Sequence, residues 1–186
     1  MTDQKHYEVI VVGGGLTGVM MALALSYSGY GSATAPAIAL VDRAPAHPKS
    51  PNSESANLKT AATITPNGDH RTTTIHAAGK TMLETLGVWP LIGDMATPIT
   101  RIKIANGAPR QGGLARRQRP EFSLDWHDDD QPMAYVVAND QLLDALYMVM
   151  ATRPIAHITD AEVTSFDGAG DLARLQFANR PDLSCQ

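Results

Sequence analysis

A glycine turn near the start constrains this sequence most, because it lies between a short apolar run and a helical pattern. Val9–Val12 is β-branched and uncharged, which is typical of a parallel strand buried on both faces. Gly13, Gly15 and Gly18 follow in the spacing G-x-G-x-x-G. There the first glycine allows a tight turn, the second lets the backbone approach phosphate, and the third lets helix and strand pack closely. The pattern predicts a site for the diphosphate of a dinucleotide.

The residues after the turn complete a strand, helix and strand pattern. We expect a helix over residues 16–28, ended by Gly29, whose first N–H groups and dipole favour an anion. Residues 37–41 predict the next strand. Asp42 follows it, where a carboxylate can accept hydrogen bonds from a ribose. Arg43 would suit a 2′-phosphate, but the adjacent acid argues for a free ribose, and we interpret Arg43 as a solvated side chain.

Charge and composition argue against membrane-spanning and nucleic-acid-binding proteins. Residues 9–41 contain no charged side chain, but three consecutive glycines and a tail of Gly, Ser, Thr and Pro do not suit a membrane span. The formal charge of −4 gives no general attraction for nucleic acid. The basic cluster further along lacks interleaved aromatic residues, so we interpret it as a solvated loop. It comprises Arg110, Arg116, Arg117 and Arg119.

The sequence also gives little support for a metal site or a disulfide. His127 and the adjacent aspartates, Asp128 to Asp130, do not project to one point as metal ligands should, so we predict no metal. The single cysteine, Cys185, cannot form an internal disulfide, which suits a reducing compartment.

Beyond Asp42 the chain alternates between helical and extended patterns. Residues 44–69 form a long polar segment, and the next pattern predicts a helix from Arg71 that ends at Gly87. The buried face of that helix is predicted to carry Ile75, Met82, Leu83 and Leu86. Strands are predicted over residues 99–105, 122–126 and 133–137, which together suggest an antiparallel sheet. A helix over residues 140–150 follows, capped by Asn139, with an apolar stripe through Leu142, Leu143, Leu146 and Val149 or Met150. Strands are predicted over residues 155–158, 162–166 and 172–177, the last two as a hairpin.

Four motifs in this order resemble the ubiquinone-biosynthesis hydroxylase family. They are VVGGGLTGVMMALAL, RTTTIHAAGKTMLETLGVW, Pro98 and Ile99 followed by Ile102, and YVV-x-N-x-x-L-x-x-AL from Tyr135. That family comprises class A FAD monooxygenases related to the 2-polyprenyl-6-methoxyphenol hydroxylases. The resemblance implies an α/β fold in which a Rossmann-like FAD-binding domain is interrupted by an antiparallel substrate-domain sheet. The implied divisions are residues 1–97, 98–137 and 138–186.

The resemblance also implies a cofactor and a reaction. FAD would occupy the glycine turn, with Asp42 on the ribose of its AMP half and Arg71 bordering the flavin pocket. NAD(P)H would reduce the flavin, and O₂ would give a C4a-hydroperoxide that hydroxylates an aromatic ring, in a substrate that carries a polyprenyl tail. The catalytic residues stay unassigned. The cofactor-binding set is Gly13, Gly15, Leu16, Thr17, Gly18, Asp42, Arg43 and Arg71.

Two departures from the family pattern keep other interpretations open. Ala138, Asn139 and Asp140 stand where the family has Glu-Asn-Arg. Asp167-Gly168 and Gly170-Asp171 are spelled like the family's downstream Asp-Gly and Gly-Asp motifs, but they lie in a predicted hairpin turn, so we do not count them as those motifs. We therefore expect the N-terminal part of a longer enzyme, with little turnover by itself. A non-catalytic remnant or interaction module of the same fold and an NAD(P)-binding oxidoreductase are the alternatives. By inheritance, we expect a cytoplasmic protein, with peripheral attachment to the inner membrane or to a ubiquinone-biosynthesis complex.

Overall fold

The computed structural model of the chain describes residues 6–29, 37–48, 71–105, 123–128, 130–168 and 172–185. The strands, in chain order, are β1 (His6–Tyr7), β2 (Val9–Val12), β3 (Ile38–Val41), β4 (Thr72–His76), β5 (Thr97–Ile99), β6 (Arg101–Ala105), β7 (Ser123–His127), β8 (Ala134–Ala138), β9 (Ile155–Ile158), β10 (Val163–Asp167), β11 (Ala173–Phe177) and β12 (Leu183–Cys185). The α-helices are α1 (Leu16–Tyr27), α2 (Ala77–Leu86), α3 (Trp89–Ile92) and α4 (Asn139–Met150). A single 3₁₀ turn, Gly93–Met95, follows α3.

A three-stranded parallel sheet in the order β2-β3-β9 forms the centre of the fold. Helix α1 connects β2 to β3, which makes the predicted strand, helix and strand unit. The helix ends one residue earlier than predicted, and Gly29 follows with φ +93°, a conformation that favours glycine. In a parallel sheet the carboxyl ends of neighbouring strands meet at one edge, so this unit brings Val12 and Val41 side by side.

Strand β3 is buried on both faces, and its alternating side chains enter two separate cores. Ile38 and Leu40 pack with side chains of α1 and α4, whereas Ala39 and Val41 pack with residues of β11 and β12. The central strand is therefore covered by helices on one side and by a second sheet on the other. Strand β2 was expected to be buried on both faces, and this was wrong. It is the edge strand of the described sheet, which leaves Val12 55% exposed.

The covering sheet runs in the order β1-β12-β11-β10 and mixes parallel and antiparallel pairs. Strands β10 and β11 form the predicted hairpin. Strand β12 was not predicted, because three residues after Pro181 and Asp182 are too few to show a period. Buried Leu183 nevertheless pairs with Leu175, and β12 also pairs in parallel with β1 at the start of the chain.

Antiparallel strands form two further sheets, β4-β8-β5 and β6-β7. The helix predicted from Arg71 is wrong for its first part, because the β-branched residues Thr72, Thr73 and Thr74 extend along β8 instead. The predicted strand 99–105 is divided in two, since β5 pairs with β8 while β6 pairs with β7. The chain combines helices with parallel and antiparallel sheets, which confirms the predicted mixed α/β class.

The predicted apolar faces of α2 and α4 are largely confirmed. In α2, Leu83 and Leu86 are buried, but Met82 is 39% exposed, because it lies at the margin of the buried face, about 100° around the helix from Leu83. In α4, Leu142, Leu146, Val149 and Met150 are buried. Asn139 does not cap α4, which begins at Asn139 itself, and its side-chain oxygen accepts a hydrogen bond from Thr73 instead.

Several sequence predictions concern residues outside the described ranges. The polar segment beyond residue 48, the four arginines of the basic cluster and Asp129 lie outside the described residues. The division at residues 97 and 137 stays a prediction. No helix within the described ranges is long and apolar enough to cross a membrane.

Adjacent residues of α2 allow a direct test of this packing. Leu83 is 2% exposed and its neighbour Met82 is 39% exposed. We expect Leu83→Ala to lower the free energy of unfolding by about 2–5 kcal/mol, because it removes buried methyl groups and leaves a cavity. Met82→Ala should cost less than about 1 kcal/mol. Urea unfolding followed by circular dichroism measures both, and equal losses would contradict this placement of α2.

Candidate functional site

The glycine turn begins where β2 ends and crosses directly to α1. The Gly13 N–H donates to the Val41 carbonyl at 2.7 Å, so the turn stays joined to the neighbouring strand. Gly13 has φ +107°, which side chains rarely tolerate. A Cβ on Gly18 would lie 1.8 Å from the Gly13 carbonyl oxygen. The first turn of α1 can therefore approach the end of β2 only because residue 18 is glycine.

Gly14, which the glycine spacing does not include, is held by two side chains from other elements. Its N–H donates to Asp42 Oδ2 at 2.8 Å, and its carbonyl accepts a hydrogen bond from the Tyr147 hydroxyl at 2.8 Å. A Cβ on Gly14 would lie 2.2 Å from Asp42 Oδ2 and 2.5 Å from Tyr147 Oη. Both groups converge on residue 14, so that position has no room for a side chain.

Gly15, at the start of α1, has open space around it, unlike Gly14. Gly15 is the N-cap residue, with φ −77° and ψ −178°, and no side chain of the described residues caps the helix. A Cβ on Gly15 would meet no atom within 4 Å. Leu16 and Thr17 follow in the first helical turn, and Gly15 and Thr17 are exposed. Unpaired first-turn N–H groups and the positive end of the helix dipole together favour an anion at this open position.

Asp42 connects the turn to a neighbouring cavity. Its Oδ1 atom accepts a hydrogen bond from the Ala44 N–H at 3.0 Å, while its backbone bonds to β9 and to Ala161. Two backbone donors leave carboxylate lone pairs for a further partner. A cavity of about 550 Å³ adjoins this segment. It is lined by Arg43, Ala44, Asp160, Glu162 and Asn179.

Tyr147 lies behind the turn on α4 and is buried. The His47 ring stacks on it, with centroids 4.4 Å apart and an interplanar angle of 7°. His47 Nε2 lies 3.4 Å from Asp144 Oδ1, which ties this ring to α4 as well. Burial, together with the charge of Asp42, raises the pKa of Tyr147 to about 12, so its hydroxyl stays a donor at neutral pH. Burial lowers the pKa of nearby His157, whose ring lies 5.4 Å from that of Tyr147.

The structure places the predicted site residues in two groups. Gly13, Gly15, Leu16, Thr17, Gly18 and Asp42 come together at the carboxyl edge of the parallel sheet, and Arg43 lines the adjacent cavity. Arg71 lies before β4 of the antiparallel sheet, exposed, with its carbonyl bonded to the N–H of Asn139.

Sequence reasoning missed two residues of the first group. Gly14 gave a signal, because it belongs to a run of three glycines. Tyr147 gave only a weak signal, because it is a residue with a polar hydroxyl within the apolar pattern of α4.

Among the described residues, no three His, Cys, Asp or Glu side chains are grouped to hold a metal ion. No protein-family model matches the sequence, and no curated protein matches it. Solved structures, by contrast, match almost the whole chain.

Two of the matching structures are oxygenases and a third is a halogenase. The p-nitrophenol 4-monooxygenase PnpA from Pseudomonas putida DLL-E4 matches with a TM-score of 0.64 at 16% identity, over 97% of this chain and 40% of its own. The C294A mutant of a 2-methyl-3-hydroxypyridine-5-carboxylic acid oxygenase matches with a TM-score of 0.59 at 15% identity, over 97% of this chain and 38% of its own. The halogenase PltM matches with a TM-score of 0.56 at 13% identity, over 96% of this chain and 33% of its own.

The chain has the fold of part of these enzymes. At such low identity the likeness shows the fold alone. The chain spans 40% or less of the length of each of the three.

Two glycines of the turn should respond differently to substitution. Gly18→Ala places a Cβ against the backbone of Gly13, so we expect the free energy of unfolding to fall by about 1–3 kcal/mol. Gly15→Ser places its side chain in open space and supplies a favoured N-cap residue, so we expect a change within about 0.5 kcal/mol. Chemical denaturation measures both, and a stable Gly18→Ala variant would contradict the close approach of α1 to β2.

Proposed function

We propose that this chain binds FAD and forms the cofactor-binding part of an oxygenase that hydroxylates an aromatic ring. The observation that carries the proposal is the open N-terminus of α1, which lies directly after a glycine turn fixed beside the Asp42 carboxylate. The oxygenase fold and the sequence motifs of class A FAD monooxygenases support the choice of cofactor and reaction.

The FAD diphosphate would bind to the backbone at the start of α1. Its oxygens would accept hydrogen bonds from the N–H groups of Gly15, Leu16 and Thr17, where an added Cβ on Gly15 meets nothing. Gly13 and Gly18 would shape this position for the diphosphate, because each permits the tight path of the chain. The residues present therefore fit a dinucleotide diphosphate.

The adenosine part of FAD would lie toward the cavity beyond Asp42. The Asp42 carboxylate retains lone pairs for the ribose hydroxyls, and Arg43 lines the cavity at the next position. Asp160 and Glu162 share that cavity, and their charges would repel a 2′-phosphate. This lining favours a nucleotide with a free ribose, such as FAD, over NADP.

When bound, FAD supplies the redox chemistry, in which NAD(P)H is the reductant and O₂ the source of the transferred oxygen. The protein binds and orients the reactants and excludes water. We assign Arg71 to the flavin end of the cofactor on the strength of the sequence resemblance.

The identity of the substrate is a more specific proposal than the cofactor, and it rests on the sequence motifs. We propose an aromatic compound with a polyprenyl tail, hydroxylated in ubiquinone biosynthesis, and a protein that works in the cytoplasm at the inner membrane surface. A long apolar tail would remain in the bilayer while the ring enters the enzyme. Peripheral association with the membrane or with a biosynthetic complex would bring the two together.

Gly15→Ser tests the cofactor site without unfolding the protein. Its hydroxyl would cap the N–H groups that the diphosphate needs, so we expect the FAD dissociation constant to rise at least about tenfold, equivalent to about 1.4 kcal/mol. Ala151→Ser, at the exposed end of α4, is the control and should bind FAD as the wild type does. Quenching of FAD fluorescence measures both constants.

The same titration separates the other functions. Purified wild-type protein should retain or acquire a yellow chromophore with flavin absorbance. A folded, colourless protein unresponsive to FAD would indicate a non-catalytic remnant or interaction module. Binding of nicotinamide nucleotides without flavin would indicate an NAD(P)-dependent enzyme. If Gly15→Ser bound FAD as tightly as Ala151→Ser, the diphosphate would not lie at this turn.

A further inference from the structure

We infer that Tyr147 is a positioning residue for the cofactor turn, because its hydroxyl fixes the direction of the Gly14–Gly15 peptide. This inference rests on the proposed function, since it assigns the geometry that would prepare the turn for a dinucleotide. Tyr147 lies 133 positions from Gly14 in sequence, yet their hydrogen bond is buried and 2.8 Å long.

The direction of the Gly15 N–H follows from the geometry of a trans peptide. The C=O of one residue and the N–H of the next point in opposite directions, and the described residues contain no cis peptide bond. The Tyr147 hydroxyl holds the Gly14 carbonyl toward α4. The Gly15 N–H therefore points away from α4.

Asp42 fixes the preceding peptide by the same principle. It accepts the Gly14 N–H, so the Gly13 carbonyl points the opposite way, toward α1. There it lies so close to residue 18 that only glycine fits. One acceptor and one donor thus set the two peptides on either side of Gly14.

A glycine turn needs such restraint because its backbone is otherwise free. Glycine populates positive and negative φ about equally, so a peptide between two glycines can reverse at little cost. Reversal of the Gly14–Gly15 peptide would direct a carbonyl oxygen, instead of an N–H, at the diphosphate. That exchange replaces a hydrogen bond with repulsion between the partial negative charge of the carbonyl oxygen and the negative charge of the diphosphate.

The Tyr147 ring is itself held in place from several sides. It is 3% exposed, packs in the main core, and is covered by the stacked His47 ring, which pairs with Asp144. Its raised pKa, about 12, keeps the hydroxyl protonated across the physiological range. The donor is therefore both placed and chemically available before any ligand arrives.

The test compares Tyr147→Phe with Tyr27→Phe. The first removes the hydroxyl and keeps the buried ring, whereas the second removes a hydroxyl from a tyrosine that is 57% exposed on α1. We expect Tyr147→Phe to raise the dissociation constants of FAD and of ADP by the same factor, about three to tenfold, since both carry the diphosphate. Tyr27→Phe should change neither constant. Titrations at a temperature where urea unfolding shows both variants folded remove any contribution from stability.

A second measurement reads the peptide direction without a ligand. In ¹⁵N-labelled apo protein, the Gly15 amide resonance should shift or broaden in Tyr147→Phe and stay in place in Tyr27→Phe.

Each outcome has one meaning. Unchanged affinity for FAD and ADP in folded Tyr147→Phe would overturn the positioning role and leave the proposed function standing. Wild-type protein that binds neither FAD nor ADP would overturn the proposed function, and the cofactor role of Tyr147 with it. A loss of stability with unchanged affinity would show that the hydroxyl serves packing alone.

Discussion

The proposed cofactor site depends on residue 14, because two hydrogen bonds from distant elements, one part-buried and one buried, meet there. The Asp42 carboxylate holds its N–H and the Tyr147 hydroxyl holds its carbonyl. A backbone of three glycines would otherwise sample many conformations. These two bonds select one of them, in which the turn fits against α1 and leaves the helix N-terminus open.

The layered architecture explains how these groups meet. Parallel pairing of β2 with β3 places the end of one strand beside the end of the other, so Asp42 lies next to the turn without any long loop. Helix α4 packs on α1 and carries Tyr147 into the same corner. The second sheet covers the opposite face of β3, so that β3, which Asp42 directly follows, is buried at every residue, unlike any other described element. A rigid scaffold therefore presents a small group of exposed backbone amides.

Local signals in the sequence were sufficient for the first part of this arrangement. Glycine spacing, a β-branched run and an acid after the second strand predicted the turn, α1 and Asp42, because each depends on neighbouring residues. The apolar period predicted the buried face of α4 for the same reason. The role of Tyr147 was not predictable, since its partner lies 133 residues away and only the packing of α1 with α4 brings them together.

The errors have related physical causes. Thr72 to Thr74 continue a helical pattern in sequence, but their branched side chains extend along β8 once that strand is present. Asn139 has the chemistry of a cap, yet Thr73 occupies its oxygen. In both cases a partner distant in sequence overrode the local preference.

A crystal structure of the protein with FAD bound tests the central claim most directly. The account predicts diphosphate oxygens within hydrogen-bonding distance of the Gly15 N–H, the ribose hydroxyls at the Asp42 carboxylate, and the Tyr147 hydroxyl still bonded to Gly14. A diphosphate bound elsewhere, or a Gly14–Gly15 peptide reversed in the complex, would contradict it.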